Sequence, residues 1–318
     1  MFFAQTADWT QLGRAVLGEM TAKFAAIGLT EGKLALVICA PTSFGAAGFA
    51  HRGAAGHYPA GLTAPFHMLH GLAALEAGRI APHPDVERAL HEMVLWPSDS
   101  AANYVIDCLT STTGDTPLEG AEYLDWAAKR GRLDKFFWQM GWPEWEGCRI
   151  SQKQGSDLRF GREARLVGTY GEGLNSLTAL SAARLLWEMF EGDLPVGRET
   201  LRRAQIYMQR DPTSPDAVFP NFGLAEFLGG GLPAGLKLWS RPAQTGSTGD
   251  AKTAWVKHDM LRIVARGMRP LHIVAMVQGR ALASDAALFP ELGRMIWDRA
   301  APLLHLPSPP KTTPPDHD

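Results

Sequence analysis

The stretch His57-Tyr58-Pro59-Ala60-Gly61-Leu62-Thr63-Ala64-Pro65-Phe66 opens an almost wholly apolar run that continues through Met68, Leu69, Leu72, Ala73 and Leu75 to Ala77. Leu62 to Ala77 is longer than a strand, which usually holds about five or six residues. Its apolar residues cover all sides of a helix instead of one stripe, so the run predicts a helix buried on most of its surface. Pro59 and Gly61 suit a chain entering such a helix. A helix buried all round needs other layers against it, and the flanking sequence has to supply them.

Upstream, Trp9, Leu12, Val16, Met20, Phe24 and Ile27 recur at three and four residues, the face of an amphipathic helix that stops at Gly28. Lys33 to Ala40 is short, apolar and β-prone, and reads as a buried strand with Phe44 to His51 as its hairpin partner. Downstream, Pro82 to about Pro233 is helical in pattern. One helix starts near Asp99, and another carries Leu180, Ala183, Trp187 and Phe190, with Thr178 as its cap and Gly192 as its stop. Strands then return at Gly235 to Arg241, within Trp255 to Arg266, and at Leu271 to Val277, with a turn at Arg266 to Pro270. Leu292, Met295, Ile296 and Leu303 mark a closing helix. Both ends of the chain must therefore build one sheet.

The expected fold is α/β (α+β): about five antiparallel strands flanked by helices, with an all-helical insertion. Residues 1–78 and 234–306 are assigned to the sheet lobe and 79–233 to the inserted helical lobe. The proline-rich tail 307–318 is expected to be disordered.

Bulk properties narrow the function classes. The 318 residues, 46% hydrophobic and 20% charged, suit one large domain or two joined lobes. A net charge of −2 without long like-charge runs argues against a nucleic-acid footprint or an electrostatic membrane anchor. No apolar stretch is long enough to span a bilayer. Met1 to Asp8 has neither a basic start nor an apolar signal core, so a cytoplasmic protein is expected. Cys39, Cys108 and Cys148 lack C-x-x-C spacing and are expected to be reduced, with no metal and no cofactor. The expected partner is a small molecule, and the oligomeric state is left open.

With this order of elements, three segments resemble the motifs of class A β-lactamases, penicillin-binding proteins and related serine hydrolases, over about Lys33 to Ala301. The first, Tyr58-Pro59-Ala60-Gly61-Leu62-Thr63-Ala64-Pro65-Phe66, is similar to Y-P-A-S-x-x-K-x-F. Gly61 stands at the nucleophile position and Ala64 at the lysine position. The second, Ser98-Asp99-Ser100-Ala101-Ala102-Asn103, resembles S-D-N-x-A-x-N with Ser100 in place of asparagine. The resemblance implies a proton-relaying hydroxyl at Ser98 and a substrate-amide contact at Ser100, although Ser98 or Asp99 also suits a helix cap. The third, Gln244-Thr245-Gly246-Ser247-Thr248-Gly249-Asp250, is similar to K-T-G-T-x-G-D with Gln244 for lysine. An alternative alignment on Trp239-Ser240-Arg241 gives Arg241 the lysine position. The first alignment is preferred because Thr245, Gly246, Gly249 and Asp250 all fit.

A serine hydroxyl is a poor nucleophile until a base takes its proton, and positions 61 and 64 provide neither group. Replacement candidates are the acids Glu163 and Glu172 before Thr178, Lys153 in Ser151-Gln152-Lys153, and Thr63 with His67, four apart on one helix face. His70 lies three residues further on, but no third ligand is placed to make a metal site with the two histidines.

Three functions follow. In the first, the cleft survives, the acyl-enzyme route is lost, and a small amide- or carboxylate-containing molecule is bound or transformed non-covalently, with the Gly61 and Ser247 N–H groups as an oxyanion-type site. The second is a hydrolase of amide, ester or lactam bonds with a displaced nucleophile, Thr63 or Ser98. The third is a non-enzymatic binding or regulatory protein. With both family cations absent, neutral amide-like groups are expected near Gln244, unless Arg241 points inward and restores the charge.

Overall fold

The computed structural model describes residues 1–306, so the expectation for the tail 307–318 lies outside the described residues. Along the chain run β1 (Ala4–Gln5), α1 (Ala7–Lys23), β2 (Leu34–Thr42), β3 (Gly45–His51), α2 (Ala64–Glu76), α3 (Pro84–Leu95), α4 (Asp99–Thr110), α5 (Gly120–Arg130) and α6 (Arg132–Trp138). There follow α7 (Gly161–Val167), α8 (Ala179–Phe190), α9 (Arg198–Met208), β4 (Gln209–Arg210), β5 (Lys237–Gln244), β6 (Val256–Val264), β7 (Leu271–Gln278), α10 (Arg280–Ser284) and α11 (Leu288–Leu304).

One sheet takes all the strands, in the order β1-β3-β2-β7-β6-β5-β4. The β2–β7 pairing, with Leu36 opposite Ala275 and Val37 opposite Val274, joins the two ends of the chain as expected. The strand count needs a correction. The five expected strands are β2, β3, β5, β6 and β7, and the two-residue strands β1 and β4 extend the edges. The sheet is also not wholly antiparallel, because β1 runs parallel to β3. A two-residue strand is too short to carry an alternating pattern, so nothing local announces it.

The two faces of the sheet explain the composition of β2. Leu34, Leu36 and Ile38 pack into a core with α1 and α11, whereas Ala35, Val37 and Cys39 pack into a core with α2 and α8. A strand covered on both faces reads as a continuous apolar run rather than an alternation. On the second side, α2 is buried from Ala64 through Ala74, and each fully buried Leu or Met there contributes roughly 1.5–3 kcal/mol. Pro65 sits in the first turn of α2, where its missing N–H is no loss.

The mainly helical stretch 79–233 is tied to the sheet in several places. Helix α8 packs on β2, β6 and β7, and β4 pairs with β5. Thr178 caps α8 through a reciprocal pair with Ser181. Strand β5 runs to Gln244 rather than ending at Arg241, and so carries the third motif to the edge of a cleft. No helix among the described residues is long and apolar enough to cross a membrane.

Candidate binding cleft

Strand β5 decides the floor of the cleft. Side chains alternate along a strand, so Trp239, Arg241 and Ala243 share the face that looks toward α2, and Leu238 belongs to the opposite core. The turn Ala60–Thr63 leads into α2 directly opposite Arg241. A Cβ at Gly61 would lie 2.5 Å from Arg241 Nη2, 3.3 Å from its Cζ and 3.9 Å from Ala243 Cβ. The guanidinium therefore occupies the space that a side chain at position 61 would need. Ala60, just before it, has a left-handed backbone at φ 48°, a conformation that costs a non-glycine residue about 1 kcal/mol or more and tends to mark functional turns.

Around this contact opens a cleft of about 630 Å³. Its walls come from the Tyr58–Gly61 turn, the start of α4 at Asp99, the loop at Gln154 and Gly155, the turn around Asn221, and the chain from Arg241 to Thr248.

Arg241 is buried, and Nη1 donates to the Pro242 carbonyl at 2.8 Å. Its Nε is buried without a hydrogen-bond partner, and Arg241 enters no ion pair within 4 Å among the described residues. Burial pushes its pKa down to about 10, opposed by the negative charges of Asp99 and Asp259, so the group stays cationic at neutral pH. On the neighbouring strand β6, opposite Pro242, Asp259 is fully buried and pushed up to about 7 by burial, although Ser240 Oγ and the Leu228 N–H donate to it at 3.0 and 3.1 Å. A second buried arginine, Arg210, donates to the carbonyls of Ser240 and Val94 at 3.3 and 2.7 Å. The charges of Arg210 and Arg241 act on Asp259 and oppose that rise. On the opposite wall, the Asp99 carboxyl packs against Gly155 and is raised by desolvation, with Arg241 acting in the other sense.

The third motif also lines the cleft. Thr245 Oγ1 donates to the Thr253 carbonyl at 2.7 Å, and the Gly246 carbonyl accepts from the Trp255 N–H at 3.0 Å, so this turn is held firmly. Ser247 lines the cleft and is exposed. Gln244 also lines it, but its amide donates to Ala283 of α10 at 2.7 Å.

The other sequence candidates are engaged elsewhere. Ser98 is the N-cap of α4, its Oγ accepting from the Ala101 N–H at 3.2 Å, while Ser100 is exposed on that helix; neither lines the cleft. Thr63 is fully buried, donates to the Ala60 carbonyl at 3.4 Å and accepts from the Gln154 amide. His67 is bonded to the Ile150 carbonyl at 2.9 Å and not to Thr63, and burial pushes it down to about 4. Lys153 and Glu163 belong to a buried ion cluster outside the cleft. Lys153 Nζ lies 2.7 Å from Asp107, and Arg130 bridges Glu163 at 2.8 Å and Asp107 at 3.6 Å. Exposed Glu172 accepts from the Tyr170 N–H at 3.0 Å.

Sequence reasoning did not single out Asp99, Gln154 or Asp259 for the site. Asp259 carried a usable signal, as an acid inside a segment that reads as a strand. Gln154 carried none, because only the tertiary packing brings it to the cleft.

No family model matches the chain, and no curated protein matches it by sequence. Solved structures do. A β-lactamase from Xanthomonas campestris pv. campestris is 15% identical, with a TM-score of 0.62 over 90% of this chain and 98% of the other. A β-lactamase from Burkholderia vietnamiensis is 14% identical, with a TM-score of 0.61 over 93% and 97%. An ancestral class A β-lactamase is 15% identical, with a TM-score of 0.60 over 88% and 99%. The chain has the β-lactamase-like fold.

Proposed function

We propose that the cleft binds a small molecule non-covalently through a carboxylate or similar anionic group held by Arg241. The carrying observation is the guanidinium seated over Gly61, buried and without an ion pair among the described residues. An uncompensated buried charge is unfavourable, and an anionic ligand would offset it with charge-assisted hydrogen bonds, roughly twice as strong as neutral ones. This moves the reading away from the neutral ligand expected near Gln244, because Arg241 supplies the positive charge missing from positions 64 and 244. The Gly61 position offers no hydroxyl to acylate, which favours binding, or chemistry by polarisation and proton transfer, over an acyl-enzyme.

Calorimetry with a matched carboxylic acid and primary amide tests the proposal. The acid should bind at least tenfold tighter, equivalent to about 1.4 kcal/mol, and Arg241→Met should abolish that preference, with Arg241→Lys retaining part of it. Equal affinity for acid and amide in the unmodified protein overturns the proposal.

A further inference from the structure

A second pocket, of about 380 Å³, opens between α2, the end of α4 and α6, and shares no residue with the cleft. Its charged and polar lining includes His70, Arg79, Arg132 and Lys135, and no aspartate or glutamate. Among the described residues, none of the three cations has an ion pair or a side-chain hydrogen bond. All three line the same pocket, so their charges face one concavity. Three unpaired like charges around one concavity repel each other, and an anion between them removes that repulsion.

The floor carries an independent sign of a ligand. His70 is more than nine-tenths buried and stacks on Phe136, with ring centroids 4.1 Å apart and an interplanar angle of 8°. Its ring makes no hydrogen bond among the described residues, and Nδ1 is buried without a partner. The ring lines the pocket, and Nε2 is not among the buried unpartnered atoms, which leaves it as the nitrogen open to a ligand. Burial, then the charges on His67 and Arg79, push the ring down to about 3, so at neutral pH it is uncharged and offers one N–H donor. The ring therefore has no hydrogen-bond partner of its own among the described residues, and a ligand acceptor in the pocket would give it one at Nε2.

We propose that this pocket binds a small phosphorylated molecule, with Arg79, Arg132 and Lys135 countering its charge and His70 donating a neutral hydrogen bond. Phosphate suits the site because it presents several acceptor oxygens and close to two charges to donors from α2, the bend that follows it and α6. The pocket is also larger than a bare phosphate requires. The proposal does not rest on the reading of the Arg241 cleft.

The test titrates the full chain with pyrophosphate at low ionic strength, read by calorimetry and by the ring-proton resonance of His70. Binding should shift the His70 resonance. The double substitution Arg132→Ala with Lys135→Ala, at two exposed positions, should weaken binding tenfold or more without changing the thermal midpoint. Arg241→Met should leave it unchanged. The proposal is overturned by absence of binding, by binding that the double substitution does not weaken, or by binding lost with Arg241→Met, which would put the anion in the main cleft. Binding without a His70 shift would also overturn it.

Discussion

Gly61→Ala places one methyl group against the Arg241 head and so tests the central contact with the smallest possible change. The added Cβ would start 2.5 Å from Nη2, whereas carbon packs comfortably at about 3.5–4.0 Å, so the guanidinium must retreat by roughly 1 Å. Two effects oppose one another. Replacing glycine with alanine where the backbone permits it stabilises by about 0.4–1 kcal/mol through the unfolded chain, and Gly61 is not among the positive-φ glycines. Overpacking a filled site costs about 1–3 kcal/mol. The Arg241 side chain is buried and bonded to Pro242, so it has little freedom to yield and overpacking should win. Net destabilisation of about 1–2 kcal/mol is expected. The displaced head should lose one charge-assisted hydrogen bond to an anionic ligand, about 1.5–3 kcal/mol, or at least tenfold in Kd. Thermal unfolding and calorimetry with the matched acid and amide measure both. If Gly61→Ala raises stability and leaves acid affinity intact, the guanidinium does not hold the position argued for it, and Gly61 serves only the turn.

Three further outcomes are expected. Intact-mass spectrometry after treatment with a penicillin or a fluorophosphonate should reveal no adduct, because Gly61 has no nucleophile and Thr63 is buried and hydrogen-bonded; a stoichiometric adduct on Thr63 or Ser98 would establish the displaced-nucleophile alternative. Glu163→Gln leaves Arg130 buried without its close partner and should destabilise by about 3–5 kcal/mol with no change in acid affinity; loss of ligand binding at unchanged stability would instead give Glu163 a functional role. Asp259 has a folded-state pKa of about 7 against an ordinary 3.8, so the folded state holds its proton while the unfolded chain releases it. Its contribution is present in full below pH 3.8 and is lost as pH rises to 7, by up to roughly 4 kcal/mol at about 1.36 kcal/mol per unit. Relative to Asp259→Asn, the native protein should therefore lose stability across that window in urea unfolding, and parallel curves would show that Asp259 does not titrate there.

Much of the architecture was legible from local pattern. Leu62 to Ala77 announced a helix with no solvent face, and α2 is buried from Ala64 to Ala74. The unbroken apolar run of β2 announced a strand covered on both sides. Thr178 was legible as a cap because capping chemistry is satisfied within one turn. The absence of a nucleophile at Gly61 and of a lysine at Ala64 was equally local.

Partner identity was not. Lys153 and Glu163 read as candidates because an ionisable group in a loop carries no record of what it will face; packing gave them Asp107 and Arg130. Strands β1 and β4 were invisible because their two residues pair only where a neighbouring edge waits. Arg241 and Gln244 show the division most clearly. Both were readable as the cation position or its replacement, but residues three apart on a strand point to opposite faces. Which of them meets Gly61 depends on how β5 lies against the turn before α2, and in the folded chain it is Arg241. Sequence by itself determined what was missing from the cleft. Only the tertiary structure decided what filled the gap, because periodicity records that a side chain is buried, whereas the register between distant segments sets what it is buried against.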